Sequence, residues 1–204
     1  KIMKMKLLML YVLLKIFFKN WEIHMKKIID LSKLKWTLRG FMPHAWRLGY
    51  STETGISLRP EVGPVPAKVP CSVQKALLDA KIIPDWNIGM NARLCEWVEN
   101  RHWIFQTEIP ARKSAECSCA ILKLDGLDGN GCVFANGTEI GSFDNSFIPY
   151  GFDLTKHVSS GKPVRLEIIF ELPPRWLGQI GYTSRMKQWK PRFNYTWDWI
   201  SRVV

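Results

Sequence analysis

The stretch KPRFNYTWDW, residues 190–199, combines four aromatic side chains with a single carboxylate, that of Asp198. Alternate positions are aromatic, and those between them are polar: Phe193, Tyr195, Trp197 and Trp199, against Lys190, Arg192, Asn194, Thr196 and Asp198. This period of two predicts a strand. Trp rings offer flat apolar faces that suit both carbohydrate binding and the core of a β-sandwich. By periodicity alone, the core interpretation is favoured for Phe193 and Tyr195.

Side chains that could carry out catalysis without a partner are scarce. The sequence contains no G-x-S-x-G, phosphate-loop or H-E-x-x-H motif. Asp125 and Asp128 lie beside glycines, which predicts a turn rather than an acid/base pair. The four His are scattered, and the five Cys show no CxxC spacing, so buried free thiols in a reducing compartment are favoured. We therefore expect no metal site and no cofactor.

The net charge of +11 is concentrated at one end of the chain. Residues 1–35 hold nine Lys and two acidic residues, which gives +7, and the remaining 169 residues contribute only +4. A nucleic-acid-binding face needs basic residues clustered on a folded surface, and no zinc-finger spacing or basic helical stripe is present. The charge pattern therefore argues against a nucleic-acid partner.

Residues 1–24 form a basic and apolar leader with two interpretations. The apolar run Leu7–Leu14 is shorter than the ~20 residues of a membrane span, and Lys15 interrupts it before any small-residue cleavage site. The favoured interpretation is an over-extended reading frame, because Met25-Lys26-Lys27-Ile28 resembles a natural start. This predicts a bacterial cytoplasmic protein with a domain at 25–204. A signal or membrane anchor, and hence secretion or anchoring, is the alternative.

The remaining chain is predicted to be mostly strands. Alternation of apolar and polar residues predicts strands at 34–39, 103–109, 119–124 and 164–171. Asn136-Gly137 predicts a hairpin between strands at 132–135 and 138–140. One helix is predicted over 72–80, capped by Ser72, whereas four prolines between 59 and 70 predict an irregular extended segment. This pattern predicts an all-β antiparallel sandwich with one short helix.

Several motifs, in order, resemble the N-terminal domain of glycoside hydrolase family two β-mannosidases. Val69-Pro70-Cys71-Ser72-Val73 is similar to the family's V-P-G-[ST]-V segment, and Ile82-Ile83-Pro84-Asp85 follows as it does there. The later matches are Trp97 to Trp103 with W-x-x-x-R-x-W, Asp125 to Asp128 with Asn136-Gly137, and Trp197-Asp198-Trp199 with W-D-W. Cys71 stands where the family prefers Gly, which would be unfavourable if that position needs a positive φ.

The resemblance implies a galactose-binding-like jelly roll in a larger, retaining β-mannosidase. Its catalytic glutamate pair would belong to a (β/α)8 barrel, and this chain has no Asn-Glu dipeptide of the kind that carries the acid/base. The resemblance further implies that Trp197 and Asp198 contact the terminal sugar, with Arg202 and Asn194 in supporting positions. The implied partner is a β-mannoside or manno-oligosaccharide, and a membrane is not expected.

Two interpretations of function follow from these residues. The first is an inactive fragment of a β-mannosidase that contributes to the glycone pocket and to domain packing. The second is a free-standing carbohydrate-binding or interaction module of the same fold. The apolar sequence Ile200-Ser-Arg-Val-Val204 resembles a strand in mid-course, which favours the fragment interpretation.

Overall fold

The computed structural model describes residues 28–50, 59–110 and 119–172. The strands in these ranges are β1 (Trp36–Phe41), β2 (Val62–Ala67), β3 (His102–Ile109), β4 (Ile121–Leu124), β5 (Gly131–Ala135), β6 (Thr138–Phe143), β7 (Tyr150–Asp153) and β8 (Val164–Phe170). The helices are α1 (Val73–Asp79), α2 (Asn91–Leu94) and α3 (Thr155–Val158), with 3-10 turns at Leu31–Lys33, Ala45–Tyr50 and Glu96–Asn100. Residues 1–27, and with them the predicted leader, lie outside the described part.

The described strands form two antiparallel sheets. The larger has the order β2-β1-β3-β8-β5-β6, and β4 pairs with β7 in the second. Several of these neighbours are not consecutive in sequence: β3 pairs with β8 from Trp103–Phe170 to Ile109–Val164, and β8 pairs in turn with β5. Long-range antiparallel pairing of this kind is typical of a sandwich built from crossed connections. The predicted all-β antiparallel class is confirmed.

The main core lies on the inner face of the larger sheet. Alternate residues of each strand point to this face and are buried, as the period of two requires. They pack with residues of the second sheet and of α1: Trp36, Leu38, Trp103, Phe105, Val133, Leu166 and Ile168, with Leu122, Phe152 and Leu77. Leu38, Leu77 and Leu166 are fully buried. Apolar burial on this face holds the two sheets together.

Two local sequence signals are confirmed in detail. Asn136 and Gly137 form the turn between β5 and β6 with φ values of 51° and 82°, as a type I′ turn needs. The backbone N–H of Arg165 donates to Asn136 Oδ1 at 2.8 Å, which ties the turn to β8. Ser72 caps α1, because its hydroxyl accepts a hydrogen bond from the Lys75 N–H at 3.1 Å. Helices α2 and α3, of four residues each, were not predicted.

The segment between residues 59 and 70 differs from the prediction. Instead of being irregular, it contains the strand β2, which pairs with β1 from Trp36–Ala67 to Gly40–Val62. Pro64 and Pro66 are tolerated because β2 is the outermost strand on that side of the described sheet.

Strand β7 was also not predicted. Cys71 does not have a positive φ, so it needs no glycine, and Cys119 is exposed rather than buried.

Within the described ranges, the helices are all too short or too polar to cross a lipid bilayer. The predicted strand around Trp197 and Asp198 lies outside these ranges, as do the first twenty-seven residues.

Gly131 sits where β5 passes closest to β8. A Cβ atom at this position would lie 1.8 Å from the carbonyl oxygen of Ile169, whereas a Cβ at Gly126 would meet no atom within 4 Å. We expect Gly131→Ala to lower the free energy of unfolding by at least about 2 kcal/mol, because the backbone of the central strands would have to move. The matched control Gly126→Ala should change it by less than about 0.5 kcal/mol. Urea denaturation measures both, and equal effects would contradict this packing.

Candidate functional site

The outer face of the larger sheet carries a second apolar cluster, which we call the outer-face cluster. It consists of Phe41, Ile104, Cys132, Phe134 and Ile169 from the strands, with Trp46 and Tyr50 from the turn Ala45–Tyr50 packed on them. An antiparallel sheet commonly presents polar residues on its outer face. Here the turn covers apolar ones, and its Tyr50 ring lies 4.5 Å from that of Phe134.

A hydrogen bond between two buried rings fixes this covering turn. Trp46 Nε1 lies 2.8 Å from His102 Nδ1. An indole N–H can only donate, so His102 Nδ1 must carry a lone pair and the neutral imidazole holds its proton on Nε2. Burial lowers the pKa of His102 to about 4, although the negative charge of Glu171 partly opposes the shift. His102 is therefore neutral at physiological pH.

Charged groups surround the rim of this ring pair. Arg47 donates to Glu171 Oε1 at 2.8 Å, and its guanidinium lies 4.8 Å from the centre of the Trp46 ring. Asn130 Nδ2 reaches Glu171 Oε2 at 3.4 Å. The His44 ring lies edge-on to His102, with 4.7 Å between ring centroids. The Arg47–Glu171 ion pair thus ties the covering turn to the residue that follows β8, while the Arg47 guanidinium covers the Trp46 ring within the turn itself.

His44, His102 and Glu171 have the composition of a metal-binding set. Their ligand atoms all lie within 4.8 Å of one another. Zinc would need lone pairs about 2.0–2.2 Å from the ion. However, the Nε2 of His102 carries the proton while Trp46 donates to Nδ1, and Arg47 engages Glu171. In ordinary zinc sites the second nitrogen of the His donates instead of accepting. The residues present therefore do not fit a metal ion in this arrangement.

A second polar network lies further along the same face. The Glu167 side chain is buried and binds Arg39 at 2.6 Å, Tyr50 Oη at 2.8 Å and Arg165 at 3.3 Å. Two cations therefore compensate one buried carboxylate. Burial raises the pKa of Tyr50, and the adjacent charge of Glu167 raises it further. Tyr50 accordingly acts as a neutral donor that joins the covering turn to β8.

These contacts limit the acid/base chemistry that Glu167 and Glu171 can carry out on the outer face. A retaining glycosidase needs one carboxylic acid that can donate a proton and one carboxylate that can attack. Among the described residues of this face, Glu167 and Glu171 are each bound by arginine. Burial raises the pKa of the Cys132 thiol to about 12, so it remains protonated and is a poor nucleophile. Glu167, Glu171 and Cys132 therefore serve structure rather than catalysis in this arrangement.

The site residues predicted from the sequence, Trp197 and Asp198 with Arg202 and Asn194, lie outside the described residues. Their assignment stays a prediction. Sequence reasoning missed the His44–His102 contact, since the two are far apart in the chain. The available signal was the position of His102, whose side chain points outward from β3 beside that of Phe41 in β1. The expectation that no metal is bound also stays a prediction.

Acid should destabilise the protein through His102. Its pKa is about 4 in the fold and about 6.5 when unfolded, so the unfolded state takes up the proton first. The contribution of neutral His102 to the free energy of unfolding is complete above pH 6.5. It is lost as the pH falls towards 4, by up to about 3 kcal/mol. His102→Asn keeps an oxygen acceptor for Trp46 and removes this dependence. We expect the difference in the free energy of unfolding between about pH 7.5 and 4.5 to be smaller in this variant than in the parent chain.

The matched control is His157→Asn, which should leave the difference unchanged. Urea titrations at both pH values measure it. The same loss of stability in His102→Asn as in the parent chain would contradict the role of His102.

The buried network provides a second prediction. Glu167→Gln removes the anion that compensates Arg39 and Arg165, and should lower the free energy of unfolding by about 3 kcal/mol. The control Asp79→Asn removes the exposed partner of Lys75 in α1 and should have an effect below about 0.5 kcal/mol. Chemical denaturation measures both variants. If Glu167→Gln lowered the free energy of unfolding no more than Asp79→Asn does, the outer-face network would add no stability.

Comparison with known proteins connects this sandwich to glycosidases. Beta-mannosidase B of Thermothelomyces thermophilus is 31% identical over 146 residues, which are 65% of this chain and 17% of that protein. Beta-mannosidase B of Aspergillus fumigatus is 30% identical over 149 residues, which are 67% of this chain and 18% of that protein. The chain thus spans less than a fifth of the length of these curated relatives.

The fold has a counterpart among solved structures. The β-D-mannosidase from Dictyoglomus thermophilum superposes with a TM-score of 0.62 and 24% identity, covering 82% of this chain and 20% of that one. The family model described as glycosyl hydrolase 2 galactose-binding domain-like matches residues 46–204, which include all but the first residue of the covering turn, the strands β2 to β8 and the Trp197-Asp198 motif. The chain belongs to this glycosyl hydrolase 2 galactose-binding domain-like family.

Proposed function

We propose that this chain is the non-catalytic, N-terminal sandwich domain of a β-mannosidase and that it supplies one edge of the pocket for a terminal β-linked mannose. The observation that carries the proposal is the family match over residues 46–204, together with relatives that are named beta-mannosidases. The substrate class is a β-mannoside or manno-oligosaccharide.

The proposed sugar contact is made by Trp197 and Asp198. A carboxylate can accept hydrogen bonds from two neighbouring sugar hydroxyls, and such charge-assisted bonds are about twice as strong as neutral ones. The Trp ring can cover the apolar side of the same sugar. Adjacent residues of a regular strand point to opposite faces, so both can reach one sugar only where the strand ends or bulges. Arg202 would orient Asp198 through a bidentate ion pair.

Hydrolysis itself is assigned to polypeptide outside this domain. Glu167 and Glu171 of the outer face are bound by arginines, and the chain covers 17% of its T. thermophilus relative. A barrel that carries the two glutamates would complete the enzyme. We also propose a bacterial cytoplasmic location, with secretion or membrane anchoring through residues 1–24 as the alternative.

A fusion enzyme tests the proposal. The chain alone should not hydrolyse aryl β-mannosides, whereas a fusion in which it replaces the matching domain of the D. thermophilum enzyme should do so. In that fusion, Asp198→Ala should lower kcat/KM by at least about tenfold, because a hydrogen-bonded sugar contact is lost. The melting temperature should not change.

The matched control is Asp125→Ala, which removes an exposed carboxylate that pairs with Lys123 at the surface. Its kinetics should equal those of the parent fusion. Unchanged kinetics in Asp198→Ala would remove the proposed sugar contact. Hydrolysis by the purified 204-residue chain would contradict the non-catalytic role, and specific mannoside binding by that chain alone would favour the free-standing module.

A further inference from the structure

The chain contains two Asn-Gly dipeptides, Asn130-Gly131 and Asn136-Gly137, in different surroundings. The side-chain amide of an Asn that precedes glycine can be attacked by the next backbone nitrogen, because glycine has no Cβ to obstruct the approach. Asparagine is accordingly counted among the thermolabile residues of proteins. The two dipeptides have the same local sequence chemistry, so the fold determines which of them can react.

Asn136-Gly137 lies at the tip of the hairpin between β5 and β6. Asn136 is exposed, and both residues lie beyond the last pair of the β5–β6 ladder, Ala135 with Thr138. The pairing of these strands therefore does not hold the Gly137 nitrogen. The nearest atom to a Cβ at Gly137 would be Arg165 Nη2, at 3.7 Å, so the turn has room to change its conformation.

Arg165 contributes an N–H dipole and a positive charge to this turn. Its backbone N–H donates to Asn136 Oδ1 at 2.8 Å. A donor on a carbonyl oxygen stabilises the negative charge that this oxygen gains when a nucleophile attacks the carbonyl carbon. The Arg165 guanidinium lies beside Gly137, and a nearby cation favours the loss of a proton from the Gly137 nitrogen. The turn therefore both exposes the Asn136 amide and activates it.

Asn130-Gly131 is held within the sheet instead. Gly131 is buried and pairs with Phe143 of β6 and with Phe170 of β8. The Asn130 carbonyl accepts from the Glu171 N–H at 3.0 Å, and Asn130 Nδ2 donates to the Glu171 carboxylate at 3.4 Å. The Gly131 nitrogen can turn towards the Asn130 side chain only when β5 separates from its neighbours, which is a rare opening of the central sheet.

We propose that Asn136 is a site of spontaneous deamidation in the folded protein, and that the sheet protects Asn130 from the same reaction. The Gly137 nitrogen bonds to Asn136 Cγ, the Cγ–Nδ2 bond breaks, and Nδ2 leaves as ammonia with the proton that the Gly137 nitrogen gives up. Solvent water then opens the resulting cyclic imide at one of its two carbonyls. Aspartate or isoaspartate results, so one water enters for each ammonia that leaves. This inference does not rest on the proposed function.

The two products affect the hairpin differently. Aspartate keeps an oxygen that can accept from the Arg165 N–H and places a carboxylate near the Arg165 guanidinium. Isoaspartate adds a methylene to the backbone of a two-residue turn, whose length fixes the register of its strands. Because β6 is the outermost strand on its side of the described sheet, isoaspartate should loosen β6 while the main core stays intact.

Peptide mapping by mass spectrometry measures the reaction at both sites of the same molecule. The purified 204-residue chain is kept in a mildly alkaline buffer, and the acidic products at 130 and 136 are followed over time. Asn136 should deamidate at least about tenfold faster than Asn130, because Asn130 reacts only in the small fraction of molecules whose central sheet has opened. The variant Asn136→Gly keeps a residue suited to the type I′ turn and should form no acidic product at the hairpin.

Denaturation provides the matched control, because glycine follows both asparagines in the unfolded chain. In concentrated urea the two rates should become similar, which shows that the fold causes the difference. Similar rates at the two sites of the folded chain would overturn the proposal. Deamidation of Asn136 only after urea is added would also overturn it, since the turn would then protect the amide. An acidic product at the hairpin of Asn136→Gly would place the reaction at another residue and contradict the assignment.

Discussion

The structure depends on the burial of β8 on both of its faces. β8 lies between β3 and β5 in the larger sheet, so its inner side chains enter the core and its outer ones face the turn Ala45–Tyr50. One outer residue is Glu167, and a buried carboxylate is stable only when cations and hydrogen bonds replace its water. Arg39 and Tyr50 supply both, which couples β1, β8 and the covering turn. The outer face is consequently a second, smaller core with an ionic centre.

Much of the fold could be predicted because its strands obey local rules. The alternation in β1, β3 and β8, the Asn136-Gly137 turn and the Ser72 cap each have a short-range physical cause, and each is present. β2 escaped prediction because prolines normally argue against a strand, and only its position at the outside of the described sheet makes Pro64 and Pro66 acceptable. Strand order could not be read from the sequence, because it is set by contacts between distant segments.

The outer-face cluster shows where sequence reasoning reaches its limit. His44 and His102 are fifty-eight positions apart, and the bond that decides the chemistry of His102 comes from Trp46. A donor-only indole fixes the tautomer of His102, so the group of His44, His102 and Glu171 does not fit a metal ion in this arrangement. The predicted sugar contacts at Trp197 and Asp198 were inferred from a family motif, and the described residues do not test them. The alternation of apolar and polar residues predicted the correct class of fold, but it could not predict which aromatic rings would contact each other.

The prolines of β2 have a consequence for how the domain behaves before it meets any partner. A strand at the side of a sheet offers free N–H and C=O groups, and another chain can use them to extend the sheet into an aggregate. Pro64 and Pro66 each lack an N–H, so this border is a poor template for a further strand. Within the described part of the sheet, growth by addition of a further strand is therefore disfavoured along this border.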